Sequence, residues 1–157
     1  MTRRSPTPVR FDTEVARRLA SFAASHPGLS LSAAANLLVD EGLRSAEHPG
    51  VVFRDGPTGR RAALAGGPDV WEVIRAVKSA RTAEPELSKD ELLALVVGNT
   101  GVPLRMVRRA MSHWASFPAE IDAEIGAADD AEIAAEVAWR RERDLLAQSL
   151  AGPPTLR

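Results

Sequence analysis

Cysteine and tyrosine are absent from the 157 residues, and aromatic residues make up 4%. No apolar run nears the roughly twenty residues a membrane helix needs. Without cysteine, disulfide-stapled and zinc-ribbon folds are excluded, and no glycine period supports a collagen-like chain. His26, His48 and His113 lie far apart in sequence without metal-ligand spacing, and His26 and His48 each precede Pro-Gly, the mark of a turn. Gly56-Pro57-Thr58-Gly59 followed by Arg60 lacks the Walker spacing and its Lys-Ser/Thr ending. Carboxylates are plentiful, but they cluster on a polar helix rather than in the apolar cleft that separates the pKa values of a catalytic pair. These absences argue against an enzyme and against any metal or cofactor. The start, Met1 to Pro6, leads into no hydrophobic signal core. A cytoplasmic protein with no membrane partner is expected.

What is present is 45% hydrophobic and 26% charged, and rich in alanine, the profile of a soluble, mainly helical chain forming one domain or two small ones. A net charge of -1 hides an uneven distribution. Residues 1 to 11 carry Arg3, Arg4 and Arg10 with no acid, and residues 103 to 117 carry Arg105, Arg108 and Arg109 with no acid. Between Glu120 and Val137 the pattern inverts, with Asp122, Glu124, Asp129, Asp130, Glu132 and Glu136 and no Lys or Arg. Basic patches beside an acidic segment fit contact with nucleic acid at one place and with another partner elsewhere; the plainer reading of the acidic stretch is a solvated helix.

Along the chain, Thr7-Pro8-Val9-Arg10-Phe11 alternates like a short strand, and Asp12 then caps a helix bearing Val15, Leu19 and Phe22 at helical spacing. His26-Pro27-Gly28 stops that helix. Ser30 and Ser32 offer caps for a second helix, whose apolar face holds Ala34, Leu37, Leu38 and Leu43 and which ends near Ser45. So short a segment buries too little alone, and one isolated strand leaves its backbone groups unpaired; pairing of two copies solves both problems.

Strand, helix and Ser-capped helix, with the text Pro8-Val9-Arg10-Phe11-Asp12-Thr13-Glu14-Val15, resembles the ribbon-helix-helix fold of the CopG/Arc/MetJ superfamily over about residues 5 to 44. The resemblance implies a homodimer formed through the N-terminal strand, with Val9, Phe11, Val15, Leu19, Phe22, Leu37 and Leu38 in the dimer core and double-stranded DNA as partner. The paired strands would enter the major groove, presenting Arg10 to guanine O6 and N7 with Pro8 beside it. Arg3 and Arg4 would lie on phosphate, and the free N–H groups around Ser30 and Ser32 would clamp the backbone. Prolines at 6 and 8 depart from the polar readers usual in this family, so base readout would be poorer than usual, with Arg3 and Arg4 compensating on phosphate. The plainer reading makes Arg10 a surface charge on an edge strand.

From Gly50 the pattern changes. Val51 to Arg54, Asp55 to Gly59 and Arg60 to Leu64 read as a hairpin or a pair of extended arms around a turn. Gly66-Gly67-Pro68-Asp69 then caps a helix with Val70, Val73, Ile74 and Val77 on one face and Trp71 beside it. Ser88-Lys89-Asp90-Glu91 is a capping box ahead of Leu92, Leu93, Leu95 and Val96. A turn at Gly98 to Gly101 leads to a helix opened by Pro103 at its first position and ended at Phe117-Pro118. This is a helix-turn-helix layout, in which Val102, Val107 and Met111 belong to the core and Arg105, Arg108 and Arg109 are contact candidates on a face that would otherwise be merely solvated. His48-Pro49-Gly50-Val51, Gly59 to Arg61, Asp69-Val70-Trp71 and Phe117 to Asp122 resemble the antitoxin-associated family called domain of unknown function four-three-three, over about His48 to Ile125.

Ala119 to Leu150 is Ala- and Glu-rich, with Ile121, Ile125, Ile133, Val137 and Leu145 spaced for a helix and Gly126 the place where a break would fall. Its acid-first, base-last order suits the helix macrodipole; the functional reading is an arm that orders on a partner. The expected organisation is a ribbon-helix-helix domain over 1–47 and a small winged helix-turn-helix-like domain with an N-terminal hairpin over 48–118. An acidic helical arm follows over 119–151 and a frayed tail over 152–157. The two resemblances together imply the antitoxin of a type II toxin–antitoxin pair, VapB-like, repressing its own operon and neutralising a PIN-type ribonuclease. Trp139, Arg140, Arg141 and Arg143 would hold the toxin, an arginine standing in for a metal cation between its carboxylates. Alternatives are a stand-alone regulator using both helical units on DNA, and a protein-docking adaptor whose ribbon only dimerises.

Overall fold

The computed structural model describes residues 7–57 and 59–150, the side chains of 148–150 excepted. Arg3, Arg4, Pro6, Thr58 and the tail 152–157 lie outside the described residues. The chain is mainly helical, and it divides into two compact units between Glu47 and His48.

The first unit is a pair of helices, α1 (Thr13–Ala24) and α2 (Leu31–Glu47). Asp12 is extended, and its carboxylate accepts the Val15 N–H at 2.9 Å, satisfying one of the orphan donors of the first turn. Ser30 opens α2, its hydroxyl accepting the Ala33 N–H at 3.1 Å. Ser32 is not a cap: the helix begins at Leu31, which places Ser32 inside the first turn. Residues 7 to 12 form no strand within one chain. The reason is elementary, since a strand exists only through backbone hydrogen bonds to a neighbour and α1 and α2 offer none. Burial is sparse here, with Leu19, Ala34 and Glu41 alone reaching core values among the described residues.

The second unit begins with a hairpin, β1 (Val51–Gly56) and β2 (Gly59–Leu64), paired antiparallel with Val51 opposite Leu64 and Arg54 opposite Arg61. Four helices follow: α3 (Val70–Ala83), α4 (Lys89–Thr100), α5 (Leu104–Ser116) and α6 (Pro118–Leu150). Ser88 and Glu91 form the reciprocal capping box at the start of α4. That helix runs through Gly98 to Thr100, so the turn is shorter than the Gly-Asn-Thr-Gly text suggests. Gly101 makes it, at φ 69°, a left-handed conformation that glycine adopts without penalty. Pro103 is the cap residue of α5 and Leu104 its first helical residue.

The core is one cluster in which Val51 and Leu64 of the hairpin meet Val70 and Ile74 of α3, Val96 of α4, Val107 of α5 and Ile121 of α6. Val102 and Met111 pack against its edge. Gly126 does not break α6, which is continuous for 33 residues. The acidic segment is therefore not a separate arm along its whole length: Ile121 is fully buried and Ile125 packs on the core. No helix among the described residues is long and apolar enough to cross a membrane.

Candidate functional site

In the first unit the residues expected in a dimer core do not close on one another. Val9 and Phe11 are exposed, at 64% and 41%, whereas Val15, Phe22, Leu37 and Leu38 are half-buried. Phe11, Val15, Leu19, Phe22, Leu38 and Val39 line an open cleft of about 450 Å³, and Val9 and Leu31 border a neighbouring one of about 720 Å³. Leu37 lines neither. Pro8, Arg10, Ser30 and Ser32 are all exposed.

In the second unit most basic side chains are committed. Arg75 bridges Asp129 at 2.8 Å and Glu132 at 2.6 Å, and Lys78 meets Asp122 at 2.6 Å while the Trp114 Nε1–H donates to the same carboxylate at 2.8 Å. The Lys78 ammonium and the Trp114 indole hold Asp122 below the usual carboxylate range, and Arg75 does the same for Glu132. So three of the seven acids from Glu120 to Glu136, namely Asp122, Asp129 and Glu132, are consumed inside the molecule, clamping α6 to α3. Neither a free solvated face nor a partner surface describes those three.

Arg105, Arg108 and Arg109 are different. Spaced i, i+3, i+4 on α5, all three are exposed, and none has an ion-pair partner among the described residues. Arg109 folds over Gly50, where φ is 94° and a Cβ would come within 2.7 Å of its Nη1. One end of the arginine row therefore lies close against the hairpin entry.

Beyond residue 130, every described side chain of α6 is exposed through Ala147. Ile133 and Val137 share one face at i and i+4, while Trp139, 56% exposed, lies on another. Arg140 pairs with Glu136, Arg143 stacks over the Trp139 ring at 4.8 Å, and Arg141 is exposed on the same stretch of helix. Trp139, Arg140, Arg141 and Arg143 therefore stand together on an exposed segment, already partly satisfied by local pairing.

Two features escaped sequence reasoning. Buried Asp69, at the cap of α3, takes both Arg54, with Nε at 2.8 Å, and Arg61. The signal was available, because the hairpin register sets two arginines directly opposite each other and like charges there demand a shared acid. The second is histidine placement: His113 is fully buried in α5, its ring 5.0 Å from His48 and 4.9 Å from Phe117. Residues far apart in sequence are neighbours in space, which spacing alone does not reveal.

Comparison with protein-family models, with curated proteins and with solved structures finds no match to the chain.

Proposed function

We propose that the chain is a dimeric DNA-binding regulator, the antitoxin of a toxin–antitoxin pair, whose N-terminal segment pairs with that of a second copy. One observation carries this reading: the first unit leaves Phe11, Val15, Leu19, Phe22, Leu38 and Val39 around an open apolar cleft, and a two-helix unit with only Leu19 and Ala34 as buried apolar residues among those described is incomplete. A second copy supplies both the missing cover and the missing strand partner. In that ribbon-helix-helix dimer, Val9 and Phe11 turn inward and Arg10 outward toward base edges, with the start of α2 at Ser30 on phosphate. The unpaired row Arg105, Arg108 and Arg109 supports a helix-turn-helix role for α4 and α5, adding backbone contacts. The exposed end of α6, with Trp139 and its arginines, is the surface left for a protein toxin, an aromatic and arginine anchor of the kind that dominates interfaces.

The test is a gel-shift titration of the full chain on its own upstream DNA against random competitor, with sedimentation to fix the oligomeric state. The expected result is a dimer whose operator-specific shift is lost in Arg10→Ala. A monomer, or a specific shift indifferent to Arg10→Ala, overturns the ribbon as reader. A stand-alone regulator is the second reading, favoured by the arginine row on α5, and it predicts that Arg105→Ala and Arg108→Ala together abolish specificity rather than merely weaken affinity.

A further inference from the structure

Along α3, Ile74, Val77, Lys78 and Arg81 recur at three- and four-residue spacing and so share one face. With Thr82, with Leu92 of α4 and with Met111 and Trp114 of α5, they line a cleft of about 420 Å³. Ile74 and Leu92 are buried, whereas Val77, Met111 and Trp114 are half-buried, so part of the apolar wall is reachable from solvent. The Trp114 Nε1–H is already given to Asp122, which leaves that ring a purely apolar contribution to the wall.

The charged side chains lining the cleft are both cations, and they differ in state. Lys78 is neutralised by Asp122 at 2.6 Å. Arg81 pairs with no carboxylate among the described residues. Its Nη1 donates to the carbonyls of Pro85 at 3.0 Å and Leu87 at 2.8 Å, which orders the guanidinium without cancelling its charge. Its Nε and Nη2 have no hydrogen-bond partner among the described residues and are open to solvent.

We propose that this cleft binds a small amphiphilic carboxylate, an alkanoate or arylalkanoate, with its carboxylate on Arg81 and its apolar body against Val77, Leu92, Met111 and Trp114. An ordered guanidinium offers a carboxylate charge-assisted N–H donors, and the wall beside it takes a hydrocarbon stem. A cationic amphiphile is repelled by Arg81, and a neutral one leaves its charge unanswered. The volume falls in the range of small-ligand clefts, about 300–1,000 Å³, and suits a free molecule better than a docked helix about 10 Å across. None of Arg105, Arg108 and Arg109 lines this cleft, so its occupancy does not depend on DNA binding.

The experiment uses the full chain, following the Trp114 indole N–H by NMR after assignment with Trp114→Phe. Hexanoate, octanoate and decanoate are titrated below the concentrations at which they self-associate, beside 1-octanol and octyltrimethylammonium. The expected result is a saturable shift with octanoate below about 10 mM, tightening about two- to fourfold for each methylene added, the range for partial to full burial of that group. Arg81→Gln weakens octanoate about tenfold and leaves 1-octanol unchanged, which separates loss of the charge from loss of the cleft. Thr82→Glu, at an exposed position on the cleft edge, adds an opposing charge and also weakens octanoate alone. No saturable shift with octanoate or decanoate, affinity indifferent to chain length, octyltrimethylammonium binding as tightly as octanoate, or octanoate affinity unchanged in Arg81→Gln overturns the proposal. Tighter binding of the tripeptide N-acetyl-leucyl-leucyl-glutamate than of decanoate overturns it in favour of a polypeptide occupant.

Discussion

Replacing Glu124 with glutamine isolates the cost of ionising a half-enclosed carboxyl. In the folded chain burial, and after it the Glu120 charge, pushes this carboxyl up to about 7, against an ordinary 4.5. Converted at about 1.4 kcal/mol per tenfold, that gap corresponds to about 3 kcal/mol, which solvent screening of a part-exposed side chain reduces to about 1–2 kcal/mol. The sign follows from proton uptake: between 4.5 and about 7 the folded chain holds a proton that the unfolded chain releases, so stability falls as pH rises through that window. Below it the penalty is absent, and above it the penalty is complete. Glutamine cannot ionise, so Glu124→Gln is expected to match the parent near pH 4.5 and exceed it by about 1–2 kcal/mol at pH 8. Urea unfolding followed by tryptophan fluorescence is the assay, since Trp71, Trp114 and Trp139 all lie in the second unit and report its transition alone. A difference between the two proteins that does not change with pH, or a glutamine variant less stable at pH 8, refutes the reasoning.

Three further outcomes are expected. Asp69→Ala leaves Arg54 and Arg61 without their shared acid and removes the cap residue of α3, costing about 3 kcal/mol, and a fluorescence-detected loss below about 1 kcal/mol would show the cluster to be solvated. Gly126→Ala is expected to stabilise by about 0.5–1 kcal/mol in the same assay, because its Cβ meets nothing within 4 Å and the helix there is continuous; a destabilised variant would place a hinge at 126. Combined Arg105→Ala, Arg108→Ala and Arg109→Ala should lower the slope of log affinity for DNA against log salt by about 3, near 0.9 for each phosphate no longer neutralised, and an unchanged slope removes α5 from the nucleic acid.

What was legible in the sequence was local. Asp12, and Ser88 with Glu91, cap helices through hydrogen bonds spanning three residues, and the hairpin announces itself by two short runs either side of the turn text Asp55 to Gly59. Glycine misled twice in the same direction: Gly98 and Gly126 look like breaks, yet α4 and α6 pass through them, because packing of neighbouring residues such as Val96 and Ile125 outweighs a propensity cost of about 1 kcal/mol. Charge was the harder problem. The acid run from Glu120 looks uniform in one dimension, but Arg75 reaches Glu132 across 57 positions and Lys78 reaches Asp122 across 44, pairings that no spacing rule contains. The N-terminal strand shows the converse difficulty. Its alternation is plain in the text, but its hydrogen-bond partners are not in the same chain.

The construction of α6 bears on how a partner would be met. An isolated helix of the exposed length would be marginal in water, because nucleation is costly and short segments propagate few bonds. Here Ile121 in the core and the Arg75 bridges to Asp129 and Glu132 hold the first part of the helix in place, so the segment from 131 to 147 extends an existing helix and needs no nucleus of its own. The Glu136–Arg140 pair and Arg143 over Trp139 add support along the exposed part. A toxin docking on Trp139 would then meet a surface already ordered over about 25 Å and avoid much of the ordering cost of folding upon binding. The clamps at Asp129 and Glu132 are, on the proposed reading, what holds the exposed segment around Trp139 ready for a partner: Arg75→Ala is expected to weaken binding of a protein partner at Trp139 although Arg75 lies on α3.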